Sequence, residues 1–135
     1  MAHTIDIVAA LIRDPHGRVL VVRKRGTAAF MQPGGKRHAG ENDAGALARE
    51  LNEELGCDVV AGSARLLGAF EAPAANEPGW RVRAAVYSVD VAGAIAARAE
   101  IDEIAWVDPA KPLGLHLAPL TRDHVLPLVA AAGDA

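Results

Sequence analysis

Cysteine is almost absent from this 135-residue chain, where Cys57 stands alone. One thiol can neither close an internal disulfide nor build a Cys-rich zinc site, so the composition points to a reducing compartment, and the cytoplasm is the expected location. Aromatic residues are scarce, at 4%. Any stacking on a ligand base would fall to Phe30, Phe70, Trp80, Tyr87 or Trp106, and core packing claims most of these. The chain has no run of basic residues and carries a net charge of -3, which argues against a stable nucleic-acid partner and leaves room for a small anionic ligand met by a few placed cations. No apolar run approaches the roughly 18–20 residues of a transmembrane helix. The opening residues, MAHTIDIVAALIRD, lack the basic, apolar and small-residue segments of a secretory signal. No membrane association is expected, and no repeat with a fixed period is present.

What is present is a globular composition, 51% hydrophobic and 23% charged, in a length that suits one domain over residues 1–135. Ile5 to Ile12 and Val19 to Arg23 are β-branched runs separated by Asp14-Pro15-His16-Gly17, which predicts a β-hairpin. A short strand is expected at Phe30 to Gln32, ended by Pro33-Gly34-Gly35. From Asn42 to Leu55 the pattern becomes helical, with Asn42 as N-cap, Asp43 at the positive end of the dipole and Gly56 as the left-handed stop. Strand-like runs follow at Asp58 to Phe70 and Trp80 to Val91, joined by a loop from Glu71 to Gly79, and another strand at Glu103 to Val107. Thr121 to Ala132 reads as a helix that Pro127 should kink or split. This order predicts a mixed sheet covered by helices on both faces, an α/β fold.

The helix over Asn42 to Leu55 carries the chemistry. At about 100° per residue, Leu47, Leu51 and Leu55 with Ala44 and Ala48 form an apolar stripe for packing on the sheet. Glu50, Glu53 and Glu54 gather about 120° away, because spacings of three and four return to one side of a helix. Three carboxylates in one patch repel, and a hard divalent cation, Mg²⁺ or Mn²⁺, would offset that repulsion through oxygen ligation. Arg49 lies four residues before Glu53 and can pair with it or with Glu41. The Gly34-Gly35 turn lets backbone approach closely, and a carbonyl there is a further candidate ligand. The competing reading is a solvated acidic helix face with an Arg–Glu pair.

A longer pattern around the helix bears on the choice. Gly35, five residues, Glu41, seven residues, Arg49-Glu50-Leu51, one residue, Glu53-Glu54, one residue and Gly56 follow one another in a single segment, residues 35–57. This resembles the signature of the Nudix hydrolases at every position but the last, where Cys57 replaces the usual aliphatic residue and, as a small hydrophobe, substitutes for it. The order of strands and a late E-x-x-E-I-x-W-V segment extend the resemblance over nearly the whole chain.

The resemblance implies an α/β/α sandwich with a mixed β-sheet between helices, and Mg²⁺- or Mn²⁺-dependent attack of water on a phosphorus of a nucleoside diphosphate linked to another group. It implies that Glu50, Glu53 and Glu54 bind metal, that Glu53 or Glu54 contacts the ion directly, that Arg49 orients them, and that Gly34 offers a carbonyl. The general base in such enzymes is a signature glutamate or one from a later loop, and Glu100, just before the EIAWV strand, is the preferred later candidate. A solvated loop acid is the alternative for Glu100. His38 and Ala39 depart from the glutamate and proline of many relatives, which leaves metal number and loop shape open.

Cations for the phosphates are sought at strand ends. Arg23 and Arg25 share a face by alternation, as do Arg81 and Arg83, with Trp80 and Val82 opposite. A charged strand end facing water is the alternative for each pair. Nucleoside triphosphates and ADP-ribose-like compounds are the leading substrates; Pro73, sixteen residues past Cys57, is a hint of the second. The C-terminal segment HLAPLTRDHVLPLVAAA shows no match for the asparagine that guanine-reading antimutator relatives use. The second functional hypothesis is a domain of the same fold that binds a nucleotide as a sensor without cleaving it. Either protein is expected as a monomer or homodimer with a small-molecule nucleotide partner.

Overall fold

A computed structural model describes residues 3–112 and 114–133. The terminal residues 1–2 and 134–135, which the domain reading includes, and residue 113 lie outside the described residues. Strand β1 (His3–Leu11) leads through a tight turn into β2 (Val19–Lys24). Asp14 builds that turn: its Oδ1 accepts the N–H groups of His16 and Arg18 at 2.9 and 2.8 Å, and Gly17 takes a φ of 83°. The expected hairpin ends there. Only Leu20 N–H to Ile12 C=O, at 3.0 Å, and a bridge between Arg13 and Val19 link the two arms beyond the turn.

Each strand instead finds its partners elsewhere. β1 runs parallel to β7 (Trp80–Ser88) from His3 opposite Trp80 to Leu11 opposite Ser88, and β2 runs antiparallel to β9 (Ile101–Val107). With β3 (Phe30–Met31), β4 (Gly34–Gly35) and β6 (Arg65–Pro73), they form two sheets in the orders β4-β1-β7-β6 and β3-β2-β9. The pairing of β1 with β7 is parallel and the others are antiparallel, so the sheet layer is mixed. β5 (Asp58–Val59) pairs with β8 (Val91–Ala92). The two longer sequence runs therefore each divide, and β6 continues through Pro73, which shortens the expected loop.

Apolar residues on both faces of β1 and β2 require cover on both sides. Val8, Ala10, Ile12, Leu20 and Val22 pack with α1 (Asp43–Leu55), whereas Ala9, Leu11, Val19 and Val21 pack with the C-terminal helical segment. This is the expected layering of helix, sheet and helix. The last segment is a wide π-type turn, Thr121–Val125, followed by α2 (Leu126–Gly133). Leu126 N–H reaches back five residues to Thr121 C=O. Pro127 has no N–H and would crowd the carbonyl four residues earlier, so the widened turn absorbs it without breaking the rod. Among the described residues no helix is long and apolar enough to cross a membrane.

Helix α1 begins and ends as its caps dictate. The Asn42 side chain accepts from Gly45 N–H at 2.8 Å, and Gly56, at φ 72°, donates to Asn52 C=O. Arg98 and Ala96 N–H groups satisfy the carbonyls of Glu54 and Leu55, which ties the approach to β9 to the helix end. The buried face comprises Ala46, Leu47, Leu51, Glu54 and Leu55, while Ala44 and Ala48 are exposed. On the wheel Glu54 stands only about 20° from Leu47. The acid at the end of the cluster therefore belongs to the packed face, a correction to the reading of all three carboxylates as a separate patch.

Candidate active site

A cavity of about 340 Å³ opens beside the glycine turn. Glu50 and Glu54 of α1, Gly34, Gly35 and Lys36 line its polar part; Ile5, Ile7 and Ala9 of β1 with Val82 of β7 and Leu120 supply apolar wall. The turn comes this close to the helix because nothing larger than glycine fits. A Cβ on Gly34 would lie 2.1 Å from the Val8 carbonyl oxygen, and one on Gly35 would lie 2.6 Å from Glu50 Oε2.

Glu54 is 2% exposed, and its Oε1 accepts the Gly34 N–H at 3.2 Å. Burial, and after it the neighbouring Glu50 carboxylate, push its carboxyl up to about 8, against the Gly34 bond and the Lys24 charge. A carboxyl buried in this way binds a proton more readily than an exposed one. Glu50 is held differently: Arg49 Nη1 donates to its Oε1 at 2.6 Å. The same guanidinium donates to both oxygens of Glu41, at 2.8 and 2.9 Å, and to the Lys36 carbonyl at 2.9 Å. Arg49 and the His38 N–H together hold the Glu41 carboxyl well below the usual carboxylate range. Arg49 thus fastens the loop after the glycine turn to the helix that carries the acids. Arg37 repeats the device nearby, bridging Asp6 and Asp43, while the Tyr87 hydroxyl donates to Asp43.

The other residues expected at a site divide. Glu53 has a side chain 54% exposed, 3.7 Å from Arg49, and does not line the cavity. Glu100 does line it, 3.7 Å from the Lys24 ammonium, and its C=O accepts the Arg25 N–H. His38 lies on the rim. Arg23 faces away, bonded to Asp102, Glu103 and the Thr27 carbonyl, and Arg25 donates to the Ala99 carbonyl. Arg81 and Arg83 sit near Glu71 at 3.8 and 3.9 Å, outside the cavity. Arg81 and Arg83 do share a partner in Glu71, whereas Arg25 lies past the end of β2, where the register with β9 shifts between Arg23 and Lys24; the cavity takes Val22 and Lys24 on β2 and Val82 on β7. Lys24 and Lys36 are the cations that reach it, and Gln32, Asn76 and Glu77 line it too. Sequence offered no sign of these beyond the glycine turn, since β1 and β2 are apolar on both faces.

Among the described residues, no three His, Cys, Asp or Glu side chains converge closely enough to hold a metal ion as they stand. The donors still suit a hard cation: two carboxylates of α1 share the wall, one buried without a cationic bond partner, beside a backbone turn. Glu53 lies about one helical turn from Glu50, outside the cavity lining.

An acidic, arginine-braced helix beside a glycine turn on an α/β/α sandwich defines a class of hydrolases acting on phosphoric anhydrides. A sequence model of the NUDIX domain matches residues 3–129, and the chain belongs to the Nudix hydrolase family. That family acts on nucleoside diphosphate-linked substrates and generally uses divalent metal ions. The chain is similar in structure to the E. coli ORF135 protein, with 27% identity and a TM-score of 0.71 over 98% of this chain and 91% of that one. It is similar also to a MutT protein from Methanosarcina mazei Go1, with 25% identity and a TM-score of 0.77 over 99% and 98% of the two chains. A MutT NUDIX hydrolase from Burkholderia pseudomallei, 22% identical with a TM-score of 0.74 over 96% and 97%, shares the fold. Curated protein sequences give no significant match.

Proposed function

We propose that this chain is a Mg²⁺- or Mn²⁺-dependent pyrophosphohydrolase that cleaves a nucleoside triphosphate or an ADP-ribose-like diphosphate. The observation that carries the reading is the buried carboxyl of Glu54 on the cavity wall beside Glu50 and the Gly34-Gly35 turn. Glu50, Glu53 and Glu54 would hold the cation, with the Gly34 carbonyl as a further oxygen donor. When bound, the cation neutralises the diphosphate and lowers the pKa of a coordinated water. Arg49 keeps Glu50 and the Glu41 loop in register with the turn, which is a positioning role. Lys24 and Lys36 supply positive charge toward phosphate oxygens from the cavity wall. Glu100, drawn toward Lys24, is the later-loop candidate to take the proton from the attacking water.

The test is product analysis by ion-exchange chromatography after incubation with Mg²⁺ or Mn²⁺ and a panel of nucleoside triphosphates, ADP-ribose, nucleotide sugars and dinucleoside polyphosphates. Cleavage of one class within its diphosphate, reduced at least about 100-fold in Glu53→Gln and Glu54→Gln, is the expected result. Wild-type rates in both variants would remove the acids from the mechanism. Binding of a panel member without cleavage would favour the sensor instead.

A further inference from the structure

Gln32 stands on the cavity wall with 6% of its surface exposed, and half of its amide is unused. Its Nε2 donates to the Ala10 carbonyl at 3.0 Å, next to the bond from Ala10 N–H to the Pro33 carbonyl at 2.9 Å. Its Oε1 is buried and has no hydrogen-bond partner. Turning the amide over would not cure this, because it would set Oε1 against the Ala10 carbonyl, acceptor against acceptor. The Ala10 bond therefore fixes which end of the amide is left over. A buried polar atom without a partner costs stability and calls for an explanation.

The chemistry of the vacant acceptor restricts what meets it. A phosphate oxygen is itself an acceptor and is repelled, so the diphosphate is matched to Lys24 and Lys36 of the same cavity and not to Gln32. The apolar lining of the cavity includes Ile7, Ala9, Met31, Val82 and Leu120. Apolar lining with one acceptor suits a nucleobase edge carrying an N–H better than it suits a ribose, whose hydroxyls would leave most of their bonds unmade.

We infer that Gln32 Oε1 is a specificity-determining acceptor for an N–H of the substrate's nucleobase. The inference rests on the proposed function above, in that it takes the occupant of the cavity to be a nucleotide. Oε1 is closed to solvent in the free protein, so a base N–H reaches it only when side chains of the wall shift, and the buried bond then formed discriminates more sharply than an exposed one. Gln32 can only accept here, since its own N–H is committed to Ala10.

The experiment measures kcat/KM of the wild type and of Gln32→Met on ATP, GTP, CTP and UTP, each beside a counterpart that lacks the base donor. The counterparts are the purine without its 6-amino group, the pyrimidinone without its 4-amino group, the N3-methylated uracil and, for guanine, the N1-methylated base that also lacks its 2-amino group. The expected result is a preferred base that exceeds its donor-free counterpart by about 30-fold or more in the wild type. In Gln32→Met the ratio should fall to about threefold or less, while turnover of the donor-free counterpart stays within about threefold of wild type. Equal rates for the preferred base and its counterpart in the wild type would overturn the inference and leave the hydrolase standing. So would a loss that follows the 2′- or 3′-deoxy nucleotide instead of the base. Failure to cleave any nucleotide would overturn both this inference and the proposed function. If Gln32→Met does not fold, the ligand series on the wild type decides alone.

Discussion

Glu54 Oε1 accepts the N–H of Gly34 at 3.2 Å, joining the last turn of α1 to the glycine turn that precedes the helix. This one bond ties the packing of the fold to the site. The acid is buried because it lies in the face that packs on the sheet, and it opens on the cavity because only glycines separate it from that space.

The first prediction follows from that burial. Glu54 has a folded-state pKa of about 8, above its unfolded value of 4.5. The folded chain then holds the proton longer than the unfolded chain, so stability declines as pH rises from about 4.5 through about 8. The contribution at stake is a few kcal/mol. In a chelator, the melting temperature of the wild type relative to Glu54→Gln should therefore fall steadily between pH 5 and 9. A constant difference across that range would mean that the carboxyl is not buried in the metal-free protein.

The two glycines should separate folding from activity. Gly34→Ala forces a side chain into a φ of 147° and onto the backbone of β1, at a cost of about 3 kcal/mol or more. Gly35→Ala meets the carboxylate end of Glu50, which can swing aside at the expense of its bond from Arg49. Thermal melts should show a large loss for the first variant and little for the second, while turnover of Gly35→Ala drops by roughly 10–100-fold through the misplaced acid.

Arg49 and Glu41 should act as one unit. Arg49→Lys keeps the charge but loses the planar fork that reaches Glu41, Glu50 and the Lys36 carbonyl together. Turnover is expected to fall on the order of 10–100-fold in Arg49→Lys and in Glu41→Gln. The double variant should be no worse than the weaker single one. Fully multiplicative losses in the kinetic cycle would show that the two side chains act independently.

Ala99 holds a left-handed φ of 53° just before Glu100, in the segment that Arg25 fastens through the Ala99 and Glu100 carbonyls. Ala99→Gly should relieve that strain and raise stability by about 1 kcal/mol. A lower melting temperature would indicate that the entropy of the added glycine outweighs the strain.

The segment from residue 35 to 57 determined much of this protein by itself. Its caps fixed where α1 starts and stops, because Asn42 and Gly56 satisfy or terminate backbone groups within a few residues of their own position. Its spacing placed Glu53 one turn beyond Arg49, and the two side chains lie 3.7 Å apart. The helix–sheet–helix layering was legible too, in the order of strands and helices along the chain. What the sequence could not supply was direction. Helical spacing relates Glu50, Glu53 and Glu54 to one another but does not say which of them turns inward, and contact with the sheet chose Glu54. Alternation sorts Arg23 from Lys24 and Arg81 from Val82 but assigns no cavity to either face. The turn after β1 looked like a hairpin because turn chemistry is local, whereas the partners of β1 and β2 lie far along the chain, at Trp80–Ser88 and Ile101–Val107. Those long-range pairings opened the space beside the glycines, and only the tertiary structure sets which side chains look into it.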